Sequence, residues 1–298
     1  MERLLLIYNP TSGTKRIASS LSELIDVATK AGWLTTVYPT QCKGDAIRAA
    51  QTLGKEFDRV VCAGGDGTLS EVAAGLMELD APPPLGYVPF GTTNDCATTL
   101  HLPKSHRQAA RVACSTGFPT PVDMGRYNGR PFVYVAAFGA FTKVAYDTPQ
   151  DLKHTLGHLA YILEGIASLP TIVPYHLRVD YDGNTLEDDF YFGMVSNALS
   201  IGGIKPLKSE QVVLDDGLFE VLLVKKPVNL AELSNGFQAL INLNPAEDTG
   251  ALVYFQASHL TFTADKPLPW TVDGEFGGDP QVAQVDNCPK ALQIVCGK

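Results

Sequence analysis

The chain has 298 residues, of which 45% are hydrophobic and 18% charged, with 32 acidic against 23 basic side chains and a formal net charge of −9. At roughly 150 residues per domain this length predicts two domains with cores of their own, and the composition excludes disordered and collagen-like classes. The acidic balance excludes a general nucleic-acid binder, because non-specific affinity comes from Lys and Arg set against phosphates. The charged fraction lies below the roughly 25% of ordinary soluble domains, which points to extensive burial or to an apolar surface that meets a partner. Cys42, Cys62, Cys96, Cys114, Cys288 and Cys296 are scattered, with no C-x-x-C and no Cys/His ligand spacing. Reduced thiols are therefore expected rather than structural zinc. The apolar run Leu4–Tyr8 is too short for a signal-peptide core, and no apolar stretch approaches the ~18 residues that span a bilayer. Any contact with membrane is expected from the surface, by a cytoplasmic protein.

In chain order, Leu4–Tyr8 reads as a buried strand ended by Asn9-Pro10, and Ile17 to Ala31 carries Leu21, Leu24, Ile25 and Ala28 at helical spacing. Arg59–Ala63 is a second buried strand closed by Gly64-Gly65, Leu69 to Leu79 a helix, and Leu85–Pro89 a third strand. Apolar runs without alternation, separated by amphipathic helices, predict an α/β domain with a parallel sheet covered on both faces, over residues 1–123. Beyond Asp123 the texture changes to short strands bounded by turn residues: Pro131–Ala137, His176–Tyr181 closed by Asp182-Gly183-Asn184, Phe190–Val195, Phe219–Val224, His259–Thr263 and Leu292–Cys296. That series predicts a β-rich antiparallel sandwich or barrel over residues 124–298, interrupted by helices at Asp151–Leu169 and Leu230–Ile241.

Chemistry concentrates where strands end. Gly64-Gly65-Asp66-Gly67-Thr68 lies between a strand and a helix; glycines let backbone approach a ligand, and a helix N-terminus offers free N–H groups and a positive dipole end, a combination that binds phosphate. A tight structural turn has the same local sequence. The Walker spacing is absent, and a dinucleotide fingerprint from Gly65 would need glycine at Ser70. Pro89-Phe90-Gly91-Thr92-Thr93-Asn94-Asp95 and Asn9-Pro10-Thr11-Ser12-Gly13 follow the third and first strands in the same manner. Ligands of open parallel sheets bind outside the carboxyl ends of the strands, so three such turns on neighbouring strands predict one crevice.

These three motifs, with Val272-Asp273-Gly274-Glu275 near the C-terminus, resemble in order and spacing the bacterial soluble diacylglycerol kinases and related lipid kinases. The likeness extends over essentially the whole chain. It implies an α/β nucleotide-binding domain followed by a β-rich domain, with the active site between them, and an ATP- and magnesium-dependent kinase acting on a lipid hydroxyl. It places ATP binding on Asn9, Pro10, Thr11, Ser12 and Gly13, on Thr40, on Gly65, Asp66, Gly67, Thr68, Leu69, Ser70 and Glu71, and on Thr92. Glu275 is implied as catalytic base, with Asp66, Asp95 and Asp123 as the acidic set that arranges magnesium and water. A structural magnesium is implied on the carbonyls of Val213 and Leu218 and on Asp216. The Asp215-Asp216-Gly217 sequence is equally that of a β-turn. The roles are chemically coherent: an alcohol is a weak nucleophile, so a carboxylate must take its proton while donors and metal hold the charge developing on phosphate.

The chain departs from the family at three usually basic positions, where it has Thr14 (with Lys15 and Arg16 following), Thr98 and Glu164. Between Asp95 and Asp123 no acid occurs, and Lys104, Arg107 and Arg111 would share one face of a helix beginning after Pro103. That face is a candidate for anionic lipid headgroups, and an ordinary solvated helix is the alternative. His154 and His158 lie one turn apart without a third ligand in sequence, and Trp33 and Trp270 read as packing residues, with Trp270 close enough to Glu275 to border an acceptor site as the alternative. The expected acceptor is diacylglycerol, with sphingosine-like lipids, phosphatidylglycerol and NAD as rivals, and a non-catalytic nucleotide- or lipid-binding regulator as a different class. A lipid at the membrane surface is the expected partner, and a homodimer stays open.

Overall fold

The computed structural model describes residues 1–12, 17–139, 173–199, 212–226 and 250–297, together with Glu232 and Asn235. Gly13, Thr14, Lys15, Arg16 and Glu164 lie outside the described residues, as do His154, His158, the whole segment Asp151–Leu169 and most of Leu230–Ile241. The chain forms two compact units, one of Met1–Met124 with Pro289–Lys298, the other of Gly125–Cys288.

In the first unit β1 (Arg3–Tyr8), α1 (Ile17–Lys30), β2 (Leu34–Pro39), α2 (Asp45–Leu53), β3 (Arg59–Gly64), α3 (Asp66–Leu76), β4 (Leu85–Pro89), α4 (Asp95–Thr99) and α5 (His106–Arg111) alternate along the chain. β1 pairs in parallel with β2 and with β3, and β3 with β4. Leu4–Ile7, Val60–Ala63 and Leu85–Phe90 are buried throughout, which is why these strands read as unbroken apolar runs. α3 meets α2 backbone to backbone: a Cβ on Gly75 would stand 2.3 Å from the Ile47 carbonyl oxygen, so only glycine fits that crossing.

The second unit contains β6 (Arg130–Phe132), β7 (Val135–Gly139), β8 (Tyr175–Tyr181), β9 (Asn184–Ser196), β10 (Phe219–Lys225), β11 (Leu252–Ala257), β12 (His259–Ala264), β13 (Trp270–Val272) and β14 (Glu275–Gly278). The chain reaches it through β5 (Phe118–Tyr127) and leaves through β15 (Val282–Cys296). Its pairings are antiparallel, β7 with β9 and β13, β8 with β9 and β12, β10 with β9 and β11, and β13 with β14. Phe138, Phe190, Phe219, Phe262 and Trp270 are buried in its core.

Three hairpins turn on a left-handed pair of residues. Asn128-Gly129, Asp182-Gly183 and Asp273-Gly274 all have positive φ, at 46° and 79°, 41° and 85°, and 49° and 79°. Both central residues of a two-residue type I′ turn need φ > 0, which Asn, Asp and Gly tolerate best.

Two readings of the sequence are corrected. Leu292–Cys296 is not a further antiparallel strand of the β-rich unit: it is the end of β15, where Ile294 pairs in parallel with Leu85 of β4 in the first unit. The helix after Pro103 starts only at His106, with Ser105 as its N-cap, so Lys104 lies ahead of it rather than on its face. Of the two readings of Trp270, packing is the one the structure bears out: it is 0% exposed, with its ring among those of Tyr127, Phe138 and Phe262.

Candidate active site

The β3 turn is built for close approach. Gly65 is the N-cap of α3 in extended backbone, and no side chain caps the helix; its first N–H groups and dipole end are thus available to an anion. Gly67 is exposed, and a Cβ there would meet open space. The β4 turn lies directly against this one. A Cβ on Gly91 would stand 2.8 Å from the Gly65 Cα and 2.7 Å from Asn94 Oδ1, so the turns touch through backbone alone. Asn94 holds its own turn closed, accepting from the Gly91 N–H at 2.8 Å and donating Nδ2–H to the Gly91 carbonyl at 2.8 Å.

The β1 turn joins them. Asn9 Nδ2 donates to Thr68 Oγ1 at 3.4 Å, Asn9 Oδ1 accepts from the Thr11 N–H at 2.9 Å and its hydroxyl at 2.8 Å, and the Gly65 N–H donates to Ser12 Oγ at 3.4 Å. The three strand-end turns therefore converge, with Pro10, Thr11 and the exposed Thr92 on them. Thr40 is tied to the end of β1 by its N–H, which donates to the Tyr8 carbonyl at 2.9 Å. Within α3 the positions divide. Leu69 is 0% exposed and its side chain belongs to the core, and Ser70 lies half-buried on the next position. Glu71 faces α2, its carboxylate accepting the N–H groups of Gly44 at 2.9 Å and Ala46 at 3.3 Å.

Two of the three acids in the expected set meet here. Asp66 accepts the N–H groups of Asp95 at 3.0 Å and Cys96 at 3.2 Å, fastening the start of α3 to the start of α4. Burial first, and then the Asp95 charge, pushes the Asp66 carboxyl above the usual carboxylate range, while the Cys96 and Asp95 N–H groups pull it back. Asp66 and Asp95, at the starts of these two helices, are carboxylates of the kind that could hold a hard divalent cation. Asp123 stands on β5 at 0% exposure and accepts the Lys290 N–H at 2.7 Å. Thr98, one of the usually basic family positions, turns its hydroxyl onto the Asn94 carbonyl at 3.2 Å.

In the second unit Glu275 opens β14, immediately after the Asp273-Gly274 turn and opposite Val272. Its Oε2 lies 3.4 Å from Nη2 of Arg130. Asp273 anchors that turn: Oδ2 accepts the Val133 N–H at 2.8 Å, and Oδ1 accepts those of Tyr134 at 3.0 Å and Val135 at 3.1 Å. In the other acidic turn, Asp216 Oδ1 accepts the Leu218 N–H at 3.0 Å, closing the turn on itself, while Val213 and Asp216 are exposed. Among the described residues no group of three His, Cys, Asp or Glu side chains converges as a metal site.

Sequence reasoning places Asn94 and Asp273 within motifs without giving them a role, and misses Arg130. Asn94 and Asp273 carry local signals, an Asn two residues beyond Gly-Thr and an Asp-Gly pair between strands. Arg130 carries none, since it acts on a residue 145 positions away.

Comparison with known proteins identifies the family. Residues 3–127 match the family described as the diacylglycerol kinase catalytic domain, and residues 135–296 match the YegS C-terminal NAD kinase beta sandwich-like domain. A diacylglycerol kinase of Bacillus subtilis (strain 168) is 36% identical over 279 residues, 93% of this chain and 91% of that one. One from Staphylococcus aureus (strain MRSA252) is 36% identical over 281 residues, 93% of this chain and 87% of that one. A crystal structure from Bacillus anthracis strain Sterne, of a protein provisionally called a diacylglycerol kinase, superposes with a TM-score of 0.83 at 25% identity, covering 99% of this chain and 97% of that one.

Proposed function

Because the chain belongs to the diacylglycerol kinase catalytic-domain family and is a lipid kinase, we propose that it transfers the γ-phosphoryl group of ATP to the hydroxyl of diacylglycerol, forming phosphatidic acid. The observation that carries the phosphoryl half is the contact of the Gly65 and Gly91 turns beneath the uncapped start of α3. Backbone N–H groups there take the place of the missing basic side chains in holding phosphate. Thr68 and the Asn9–Ser12 turn keep that cradle in shape, and Thr40 and Thr92 border it.

Asp66 and Asp95 are the residues that would hold a magnesium ion, with Asp123 assigned to the same acidic set. When bound, the ion supplies charge neutralisation at the phosphate oxygens. Glu275 accepts the proton of the attacking hydroxyl, the step that an unactivated alcohol requires. The Asp216 turn, with the Val213 and Leu218 carbonyls, is assigned a second, structural cation. Diacylglycerol as acceptor follows from the names of the relatives, and it places the enzyme in the cytoplasm at the membrane surface. Among the described residues no helix is long and apolar enough to cross a membrane, and Lys104, Arg107 and Arg111 are exposed, although Arg107 lies 3.6 Å from Glu23.

The test is transfer of label from γ-labelled ATP, with magnesium, to a panel of diacylglycerol, ceramide, sphingosine, phosphatidylglycerol and NAD. Diacylglycerol is expected to take the label in preference to the others. Label on NAD or sphingosine alone would reassign the acceptor, and label on none would remove the assignment.

A further inference from the structure

Arg130 lies outside every motif that the function absorbs, and its placement is over-determined. It is the first residue of β6, fixed in register opposite Tyr127 by the Asn128-Gly129 turn. Arg126 braces that turn, its Nη1 donating to the Gly129 carbonyl at 3.1 Å. Glu275 is likewise the first residue after a type I′ turn, and Asp273 pins that turn to residues 133–135 of the chain that follows β6. Both backbones are thus set, and the guanidinium adds a hold on the glutamate side chain. The Arg130 guanidinium reaches it with Nη2, 3.4 Å from Oε2, while Nη1 donates to the Phe276 carbonyl at 3.4 Å. One planar group therefore holds two successive residues of β14, which a lysine ammonium, a single point charge on a flexible stem, does not reproduce.

We infer that Arg130 is a positioning residue for the Glu275 carboxylate, holding it in one orientation for proton acceptance. The inference rests on the proposed role of Glu275 as base. The pair is about half exposed, 48% for Arg130 and 38% for Glu275, and an ion pair so placed contributes little to stability. Its contribution is orientation, and misplacing a reacting group by about an ångström costs on the order of 100-fold in rate.

The test compares R130Q, R130K, E275Q and the double variant R130Q/E275Q for magnesium- and ATP-dependent phosphorylation of diacylglycerol in mixed micelles. R130Q is expected to lower kcat by about 10- to 100-fold with KM for ATP unchanged and the urea midpoint unchanged. R130K should recover part of kcat, because it keeps the charge without the two-point hold. In the E275Q background the R130Q change should cost nothing further, since its effect passes through the carboxylate. An unchanged kcat for R130Q, a loss confined to KM, or an equal further loss in the E275Q background would overturn the inference while leaving Glu275 as base. An E275Q enzyme as fast as the wild type would overturn both.

Discussion

Asp273→Asn isolates the anchor beneath the proposed base. The aspartate is 8% exposed and its two oxygens accept three backbone N–H groups, from Val133, Tyr134 and Val135. Its φ of 49° is left-handed, a conformation asparagine tolerates as well as aspartate does, so the substitution changes the acceptor chemistry and little else. Asparagine keeps one accepting oxygen. Its NH2 group must then face at least one of the three donors, which loses a charge-assisted bond and leaves a buried N–H unsatisfied, at about 1–3 kcal/mol for each effect. A destabilisation of about 3 kcal/mol follows, and with a urea slope of about 2 kcal/mol/M for a unit of this size the midpoint falls by about 1.5 M. Trp270, in the core of the same unit, reports the transition by fluorescence in a Trp33→Phe background. Because Glu275 follows two residues later, kcat should fall with stability even at low urea. A midpoint shift under about 0.3 M, on the same slope, would refute the claim that this carboxylate holds the hairpin.

Gly91→Ala would drive a Cβ to 2.8 Å from the Gly65 Cα and 2.7 Å from Asn94 Oδ1; calorimetric titration with ATP should show affinity lowered at least about 10-fold, alongside the ~1–3 kcal/mol that overpacking costs, and unchanged affinity would separate the two turns from nucleotide binding. His176 is held above its ordinary value of 6.5 by hydrogen bonds to Asp189 and then Glu187. The stability it contributes is present in full below pH 6.5 and is lost as pH rises through the higher folded value. NMR titration of its ring should give a midpoint above 6.5 that falls in Asp189→Asn, and an equal midpoint in both would remove that pair as the cause. Reversing Lys104, Arg107 and Arg111 to glutamate should weaken sedimentation with anionic liposomes by more than about 10-fold at low salt, at about 1 kcal/mol per charge near the surface, while sparing ATP binding. Unchanged sedimentation would leave the three as a solvated surface.

The parts legible in the sequence are those that local chemistry decides. β1, β3 and β4 could be placed because strands buried on both faces show unbroken apolar runs, and their turns because glycine, asparagine and threonine there are demanded by close approach and capping. The Asp182-Gly183 hairpin was readable for the same reason. What stayed hidden is non-local. The end of β15 has the alternation of an antiparallel strand, yet Ile294 pairs with Leu85, and no local pattern reveals a partner more than two hundred residues away. Edge strand β2, half-exposed as Leu-Thr-Thr-Val-Tyr-Pro, lacks a clear period. At the candidate site the acids were visible as residue types, but the division of labour among them was not. Glu71 serves the start of α2, Asp273 serves the backbone of residues 133–135, and the Arg130 partner of Glu275 appears only once both hairpins are folded.

The central claim is that Glu275 accepts the proton of a lipid hydroxyl during phosphoryl transfer from ATP. Its most direct test is the initial rate of label transfer from ATP to diacylglycerol by the wild type and by Glu275→Ala at equal magnesium. The wild type should transfer label and the variant should lose about 100- to 10,000-fold in rate, with ATP binding retained. Equal rates from the two proteins would contradict it.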